Sequence, residues 1–418
     1  MKKLTAIVMG YGMRGQGYTN YSVDHPDQLQ IVAVAEPEIS KRNYAKERHS
    51  IPDEMLFDHW EKLAAQPKMA DFAIISTQDR MHLESALACI EKGYHLLLEK
   101  PMAPTAKECK IIYEAAEKKG VKVIVCHVLR FTQFWYKLKD IIDNGDIGDV
   151  MSIIHMENVG NTHQGHSFVR GNWRNSVESA PMILAKTCHD MDILQWLIGK
   201  DCKKVQSFGS LSHFRKENQP EGAPDRCLDG CPYADKCYYE PVRFYTGERN
   251  GWEEVVADKI KPTNEEIIEA LRTGPYGRCV YACDNDVVDH QVVNMEFDGG
   301  CTVSFTMSAF NEGGRFIRIF GTKGELVAGK NVITVFSFDT REKTVYDLDK
   351  IGETIQSGHG GGDTGIMVDT LKYFGDETPS KSVCSLRTSY LNHLISFAAE
   401  ESRLTDKVID LDEYSDSI

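Results

Sequence analysis

A chain of 418 residues with 42% apolar and 26% charged residues, 33 Gly and 14 Pro can build a core and exceeds what one core usually serves, so two domains are expected. That composition excludes collagen-like, mucin-like and largely disordered classes. Lys plus Arg number 48 against 62 Asp plus Glu, a net charge of −14 that repels phosphate backbones and anionic headgroups, so neither nucleic acid nor a membrane surface is an expected partner. No apolar run approaches the roughly 18 residues of a membrane span. The opening MKKLTAIVMGYG imitates a signal peptide but runs into glycines with no small-residue cleavage site. A cytoplasmic location is expected, with the 12 Cys as thiols or metal ligands rather than disulfides.

The segments LTAIVMG (4–10), IVAVAE (31–36), FAIIST (72–77), HLLLEK (95–100) and VKVIVC (121–126) read as strands buried on both faces. Helical patterns at 82–93 and 106–120, each ending in Gly, lie between them. This alternation predicts an α/β unit with a doubly wound parallel sheet of the Rossmann type. A further helix, FWYKLKDIIDNG, precedes a change of pattern at about residue 149. Alternating segments follow at 150–159, 205–214, 286–297, 301–310, 315–321 and 332–338, with a tight hairpin at Asp298-Gly299-Gly300. They predict an α+β domain with a largely antiparallel sheet. One helix is expected at about 263–273, with Thr263 and Glu266 at capping-box spacing, and another near 386–402. The expected division is a dinucleotide-binding domain at 1–126 and a substrate and oligomerisation domain at 127–418, with a cysteine-rich insertion at about 215–285.

Directly after the first strand comes Gly10-Tyr11-Gly12-Met13-Arg14-Gly15, a G-x-G-x-x-G in strand-to-helix position. The first glycine suits the tight turn, the second a close pyrophosphate approach, and the third the packing of helix on sheet. Glu36 ends the second strand, where a carboxylate accepts from both ribose hydroxyls, so NAD is expected over NADP, with Arg42 the complication. Ser76 and Thr77 end the segment at 72–77 at the ligand edge, and Glu99-Lys100-Pro101 ends the next. A lysine that follows a buried run and is fixed by a proline is suited to a cleft and to proton transfer. With His82, these residues complete the expected cofactor set.

In its G-x-G-x-x-G start, the E-K-P at 99–101, Arg130-Phe131, the I-G-D-V at 147–150 and the sheet domain that follows, the chain resembles the Gfo/Idh/MocA oxidoreductases over nearly its whole length. The resemblance implies NAD(P)-dependent oxidation or reduction of a sugar, polyol or cyclitol held between the nucleotide domain and one face of the sheet. It also implies that Lys100 contacts substrate and nicotinamide. The family's usual D-x-x-x-H falls on SAPMILAKTCHDMDILQWLIG, where the histidine is His189 and the aspartate position is Ala185. Lys186 and Asp190 are the local candidates for the missing role. On a continuous helix, Lys186 shares the face of His189 while Asp190 and Asp192 turn away. Lys100, His189 and Lys186 are the catalytic candidates.

The polar stretch NTHQGHSFVRGNWRN (161–175) offers His163, His166, Arg170, Asn172 and Trp173 to a hydroxyl-rich ligand. The glycine-rich SGHGGGDTG (357–365) adds His359 and Asp363, on a loop able to close over it. Arg130 and Asp190 complete the expected substrate contacts. In the insertion, Cys227, Cys231 and Cys237, with Cys279 and Cys283, suggest one structural zinc; free thiols and redox pairs are the alternatives. The leading expectation is an NAD-dependent dehydrogenase acting on a small carbohydrate or cyclitol, as a homo-oligomer joined through the C-terminal sheet. A redox-assisted, NAD-dependent glycosidase on the same scaffold and a non-catalytic NAD-binding sugar sensor are the rivals.

Overall fold

The computed structural model describes residues 2–247, 251–351 and 361–418. The first half builds a sheet from β1 (Leu4–Met9), β2 (Leu29–Ala35), β3 (Leu56–Phe57), β4 (Phe72–Ile75), β5 (His95–Leu98) and β6 (Val123–Val125), in the order β3-β2-β1-β4-β5-β6. Every pairing in it is parallel. The order reverses between β1 and β4, the point at which doubly wound sheets open a ligand crevice beyond the strand C-termini. The helices between strands begin and end where side chains satisfy the backbone. In helix Ala106–Lys119, for example, Thr105 and Glu108 form a reciprocal capping box and Gly120 closes the end in the left-handed conformation.

The second sheet comprises β7 (Val150–Asn158), β8 (Cys202–Ser210), β9 (His290–Phe297), β10 (Thr302–Ser308), β11 (Gly314–Gly321), β12 (Gly324–Gly329), β13 (Val332–Ser337), β14 (Lys343–Asp347) and β15 (Ile409–Asp410). Their order is β14-β13-β12-β11-β7-β10-β9-β8-β15. The sheet is largely antiparallel as expected, with one parallel pair, β7 with β10. β8 stops at Ser210, short of the expected 214, because the backbone N–H groups of Ser212 and His213 turn to Asp289. The strands β12, β14 and β15 were not legible in the alternation pattern.

One face of this sheet meets the first half of the chain. A continuous apolar cluster runs from Ile7 and Leu98 through Trp135 and Met191 to Phe305. A second cluster covers the other face of the parallel sheet, where Ile366, Met367, Leu371 and Phe374 join Val8 and Leu97. Those four belong to helix Gly362–Phe374, so the chain returns from the second sheet to the first. The glycine-rich segment expected to be a loop therefore ends as a helix from Gly362 onward, and His359 lies outside the described residues.

Leu371 is 1% exposed within that second cluster. Leu371→Ala should lower the stability of the nucleotide-binding half by about 2–5 kcal/mol through lost burial and a residual cavity. Urea unfolding checks this, and a loss below about 0.5 kcal/mol would show that the returning helix does not support that sheet.

Candidate active site

The glycine turn follows from steric necessity at two of its three positions. Gly10 has φ +87°, and a Cβ there would lie 2.5 Å from the carbonyl oxygen of Ser76; one on Gly15 would lie 2.3 Å from the carbonyl oxygen of Gly10. Ser76 Oγ ties the turn by donating to Gly10 O at 2.7 Å. Gly12 differs, since its Cβ direction meets nothing within 4 Å and it caps the N-terminus of helix Met13–Asp24. That open side, at the positive end of a helix, is where a dinucleotide phosphate fits. Buried Glu36 accepts from the backbone N–H of Tyr11 at 2.7 Å and of Glu38 at 3.1 Å, leaving lone pairs on both oxygens for ribose hydroxyls. Arg42 donates to the carbonyls of Glu36 and Pro37 at the same corner. Thr77 Oγ1 is buried with no hydrogen-bond partner, another polar atom that a ligand here would satisfy. These groups fit a nicotinamide dinucleotide.

Other members of the expected cofactor set serve as framework. The Tyr11 ring is buried and its hydroxyl pairs with His49. His82 bridges the two strand ends, its ring nitrogens 2.8 Å from Pro101 O and 3.1 Å from Thr77 O. Arg14 donates to Glu99 at 2.7 Å and to both oxygens of Asp363 at 2.8 and 3.1 Å, while Tyr18 also donates to Glu99. Burial opposes ionisation of Glu99, but Arg14 and then Lys100 hold its carboxyl below the usual range. Asp363, expected to meet substrate, is thus the second carboxylate of Arg14.

Lys100 stands where the two sheets meet. Its Nζ donates to the carbonyl of Ala185 at 3.0 Å and lies 5.9 Å from the Trp173 ring centre. The Trp173 indole is itself held by Asp79 at 3.2 Å. The continuous helix expected to carry Lys186, His189 and Asp190 is broken: Met182–Ala185 forms one turn, Lys186 ends it, and a second helix, Cys188–Ile198, starts with half-buried His189 in its first turn. The break alters the expected phase. Asp190, expected to turn away, is fully buried and binds Arg315 through both oxygens at 2.7 and 3.1 Å and His155 at 2.8 Å. Arg315 also pairs with Glu157 at 2.8 Å, and Glu157 with Lys186 at 3.4 Å.

This chain of charges was missed in the sequence. Its signal was present, because the inward positions of β7 are Ile153, His155 and Glu157, facing Ile319, Ile317 and Arg315 of β11; two polar residues on a core face mark a lined pocket. Burial opposes the charge on Asp190, yet Arg315 and His155 hold its carboxyl well below the usual range. Burial lowers the Lys186 amine from its ordinary value; Glu157 opposes this, and the Arg315 and Lys100 cations reinforce it. Burial and the neighbouring Lys186, His166, Lys100 and Arg315 push His163 down to about 2, so it is neutral at physiological pH.

Two expected substrate contacts lie elsewhere. Arg130 is buried and forms a two-pronged pair with Asp192 at 2.8 and 2.6 Å. Arg170 is buried at the root of the insertion, donating to the carbonyls of Arg278 and Tyr239 at 2.7 and 2.8 Å. Asn172 is exposed. All 12 cysteines are free thiols, and Cys227, Cys231, Cys237 and Cys279 line one small cavity that Cys283 does not reach.

Residues 4–127 match a family model described as "Oxidoreductase family, NAD-binding Rossmann fold", and residues 139–383 match "Oxidoreductase family, C-terminal alpha/beta domain". The chain is 26% identical over 313 residues to the putative oxidoreductase YteT of Bacillus subtilis, covering 72% of this chain and 71% of that one. It is 24% identical over 206 residues to an inositol 2-dehydrogenase of Salmonella paratyphi B, covering 49% of this chain and 57% of the relative. Among solved structures, levoglucosan dehydrogenase in complex with NADH shares the fold at a TM-score of 0.71 and 18% identity, over 98% of this chain and 99% of that one.

The glycine geometry separates binding from folding. Gly12→Val should weaken NADH binding by about tenfold or more while the melting temperature stays put, since its Cβ enters open space. Gly15→Val should lower the melting temperature by several degrees, because its side chain must displace the Gly10 carbonyl. Fluorescence titration beside thermal melts decides, and unchanged NADH affinity in Gly12→Val would remove the groove from this turn.

Proposed function

Because the chain belongs to the Gfo/Idh/MocA oxidoreductase family, we propose that it is an NAD-dependent dehydrogenase acting on a secondary alcohol or ketone of a sugar, polyol or cyclitol. The observation that carries this reading is Lys100 Nζ at the seam between the glycine turn's sheet and the charged face of β7 and β11, 3.0 Å from the Ala185 carbonyl. The bound nicotinamide supplies the hydride acceptor or donor at C4. In the oxidation direction, the Lys100 ammonium donates to the reacting hydroxyl oxygen and stabilises the charge that develops there. His189 takes the hydroxyl proton as general base and returns it in the reverse reaction. Lys186, held by Glu157, stands one residue beyond the position where the family's aspartate is absent and adds a second cation to the cleft.

NAD is preferred over NADP in this reading. A buried Glu36 carboxylate repels a 2′-phosphate, and Arg42 already donates to two backbone carbonyls. A homo-oligomer joined through the second sheet is supported by a row across its outer face, in which Phe208 pairs with Val292, Val292 with Thr306, Thr306 with Met156 and Met156 with Phe316. Phe208 is 50% and Val292 39% exposed, an apolar band that a second copy would cover. The thiol state of the cysteines suits the reducing cytoplasm.

Lys100→Met and His189→Ala should each lower kcat roughly a hundredfold or more with NAD affinity nearly intact, and Lys186→Met should do the same if it replaces the missing aspartate. A screen of sugars, cyclitols and chromogenic glycosides with NAD and NADP, reading nicotinamide absorbance and released aglycone together, tests the whole reading. NADH formed in proportion to product is the expected result. Aglycone released without net NADH would replace the dehydrogenase by a glycosidase, and near-normal turnover in Lys100→Met would remove the mechanism.

A further inference from the structure

The insertion between β8 and β9 brings distant cysteines together by backbone pairing. Cys227 N–H donates to Gly277 O at 3.0 Å and Cys279 N–H to Asp225 O at 2.8 Å, flanking a bridge between Arg226 and Arg278. This pairing sets the Cys227 and Cys279 side chains on the wall of one cavity. Cys231 and Cys237 bracket the next turn, in which Cys237 N–H donates to Tyr233 O at 2.9 Å. All four line a cavity of about 30 Å³ whose other walls include Pro220, Ala223 and Val280. A space this size, rimmed by sulfur and apolar carbon, admits a single ion more readily than a cluster.

Arg170 provides an independent observation. It is 2% exposed, borders the same cavity with Nη2 3.7 Å from Cys227 Sγ, and makes no ion pair with a carboxylate among the described residues. A buried guanidinium without a counter-charge is costly. Four thiolates around a divalent ion carry a net charge of about −2, which would supply that counter-charge.

We infer that Cys227, Cys231, Cys237 and Cys279 bind one Zn²⁺ as a tetrahedral thiolate centre, with Arg170 as its neighbouring cation. Cys283 is outside the set, since its thiol donates to the Cys279 carbonyl at 3.3 Å. The rival group is His127, Asp192 and Cys384, the one set of three or more among the described residues whose ligand atoms all lie within 4.8 Å of one another. There the Arg130 guanidinium already occupies both oxygens of Asp192 and repels a cation. The four sulfurs do not all lie within 4.8 Å of one another, whereas in a bound set neighbours are about 3.8 Å apart at a Zn–S distance of about 2.3 Å, so the side chains must draw together on binding. With four protein thiolates no position remains for water, and the ion is structural. It fixes the root of an insertion whose far side reaches the nucleotide-binding part, where Asp258 pairs with Lys41.

Elemental analysis of the full chain, purified without a metal-affinity tag, should find about one zinc per chain. Cys237→Ser should hold at least about tenfold less zinc, while Cys283→Ser keeps it. Should Cys237→Ser fail to fold, chelation of the unmodified protein should free four additional thiols for titration as zinc leaves. Less than about a tenth of an equivalent of metal with all five insertion thiols freely titratable would overturn the inference. So would iron with acid-labile sulfide, zinc release without new thiols, or loss of zinc in Cys283→Ser. NADH binding, measured on the same samples, reports separately on the proposed function.

Discussion

The pairing of Arg14 with two buried carboxylates is the constraint from which the cleft's geometry follows. Glu99 directly follows β5 and Asp363 lies in the first turn of the helix that returns from the far end of the chain, so one guanidinium joins the glycine turn's helix, the lysine-bearing strand end and that returning helix. Uncompensated, those carboxylates would each cost several kcal/mol. Glu99 is held on one side by Arg14 and Tyr18 and on the other by the Lys100 N–H, while the lysine side chain crosses the seam to the Ala185 carbonyl. In the proposed mechanism the buried network positions Lys100, although none of its members needs to touch substrate.

Across the seam a second charge network answers the first. Lys186, Glu157, Arg315, Asp190 and His155 form one connected series on the inner face of β7 and β11. Its formal charges nearly cancel, so the addition of Lys100 leaves the cleft with a surplus positive charge. A developing alkoxide is stabilised by such a surplus, and each acid in the series is committed to holding a cation in position. On the proposed function, this sheet face is what stands in for the side chain absent at Ala185, rather than a single substitution.

Local features were legible in the sequence, and features set by distant partners were not. The doubly buried strands, the capping box at Thr263 and the glycine turn depend on neighbours a few residues away, which spacing encodes directly. Arg130 reads as a ligand contact through the family resemblance at 130–131, and Arg170 through its polar stretch. Their partners lie 62 and 108 residues downstream, beyond any periodicity. Asp190 was misphased because helical spacing assumes continuity, and the chain breaks at Lys186. Arg315 and Glu157 were missed for a different reason: alternation was read for strand identity, without asking why an inward position should carry a charge.

The insertion lengthens the chain between two paired strands without disturbing the sheet. It departs from β8 at Ser210 and rejoins at β9, where Ser210 and His290 remain paired as the ends of a hairpin would be, so its length is invisible to the sheet. Within it, Tyr245, Val256, Ile267, Leu271 and Tyr276 make a separate small core. From that core Trp252 and Tyr276 stack on His166, with ring centres 4.3 and 4.9 Å away, and His166 follows by three residues the neutral His163 that stands among the cleft's cations. The insertion's small core thus touches His166 through an aromatic stack, and Asp258 pairs with Lys41 beyond the parallel sheet. On the proposed function, that arrangement lets the insertion shape the substrate pocket while the strand pairing that carries Arg315 and leads to Lys100 stays the same.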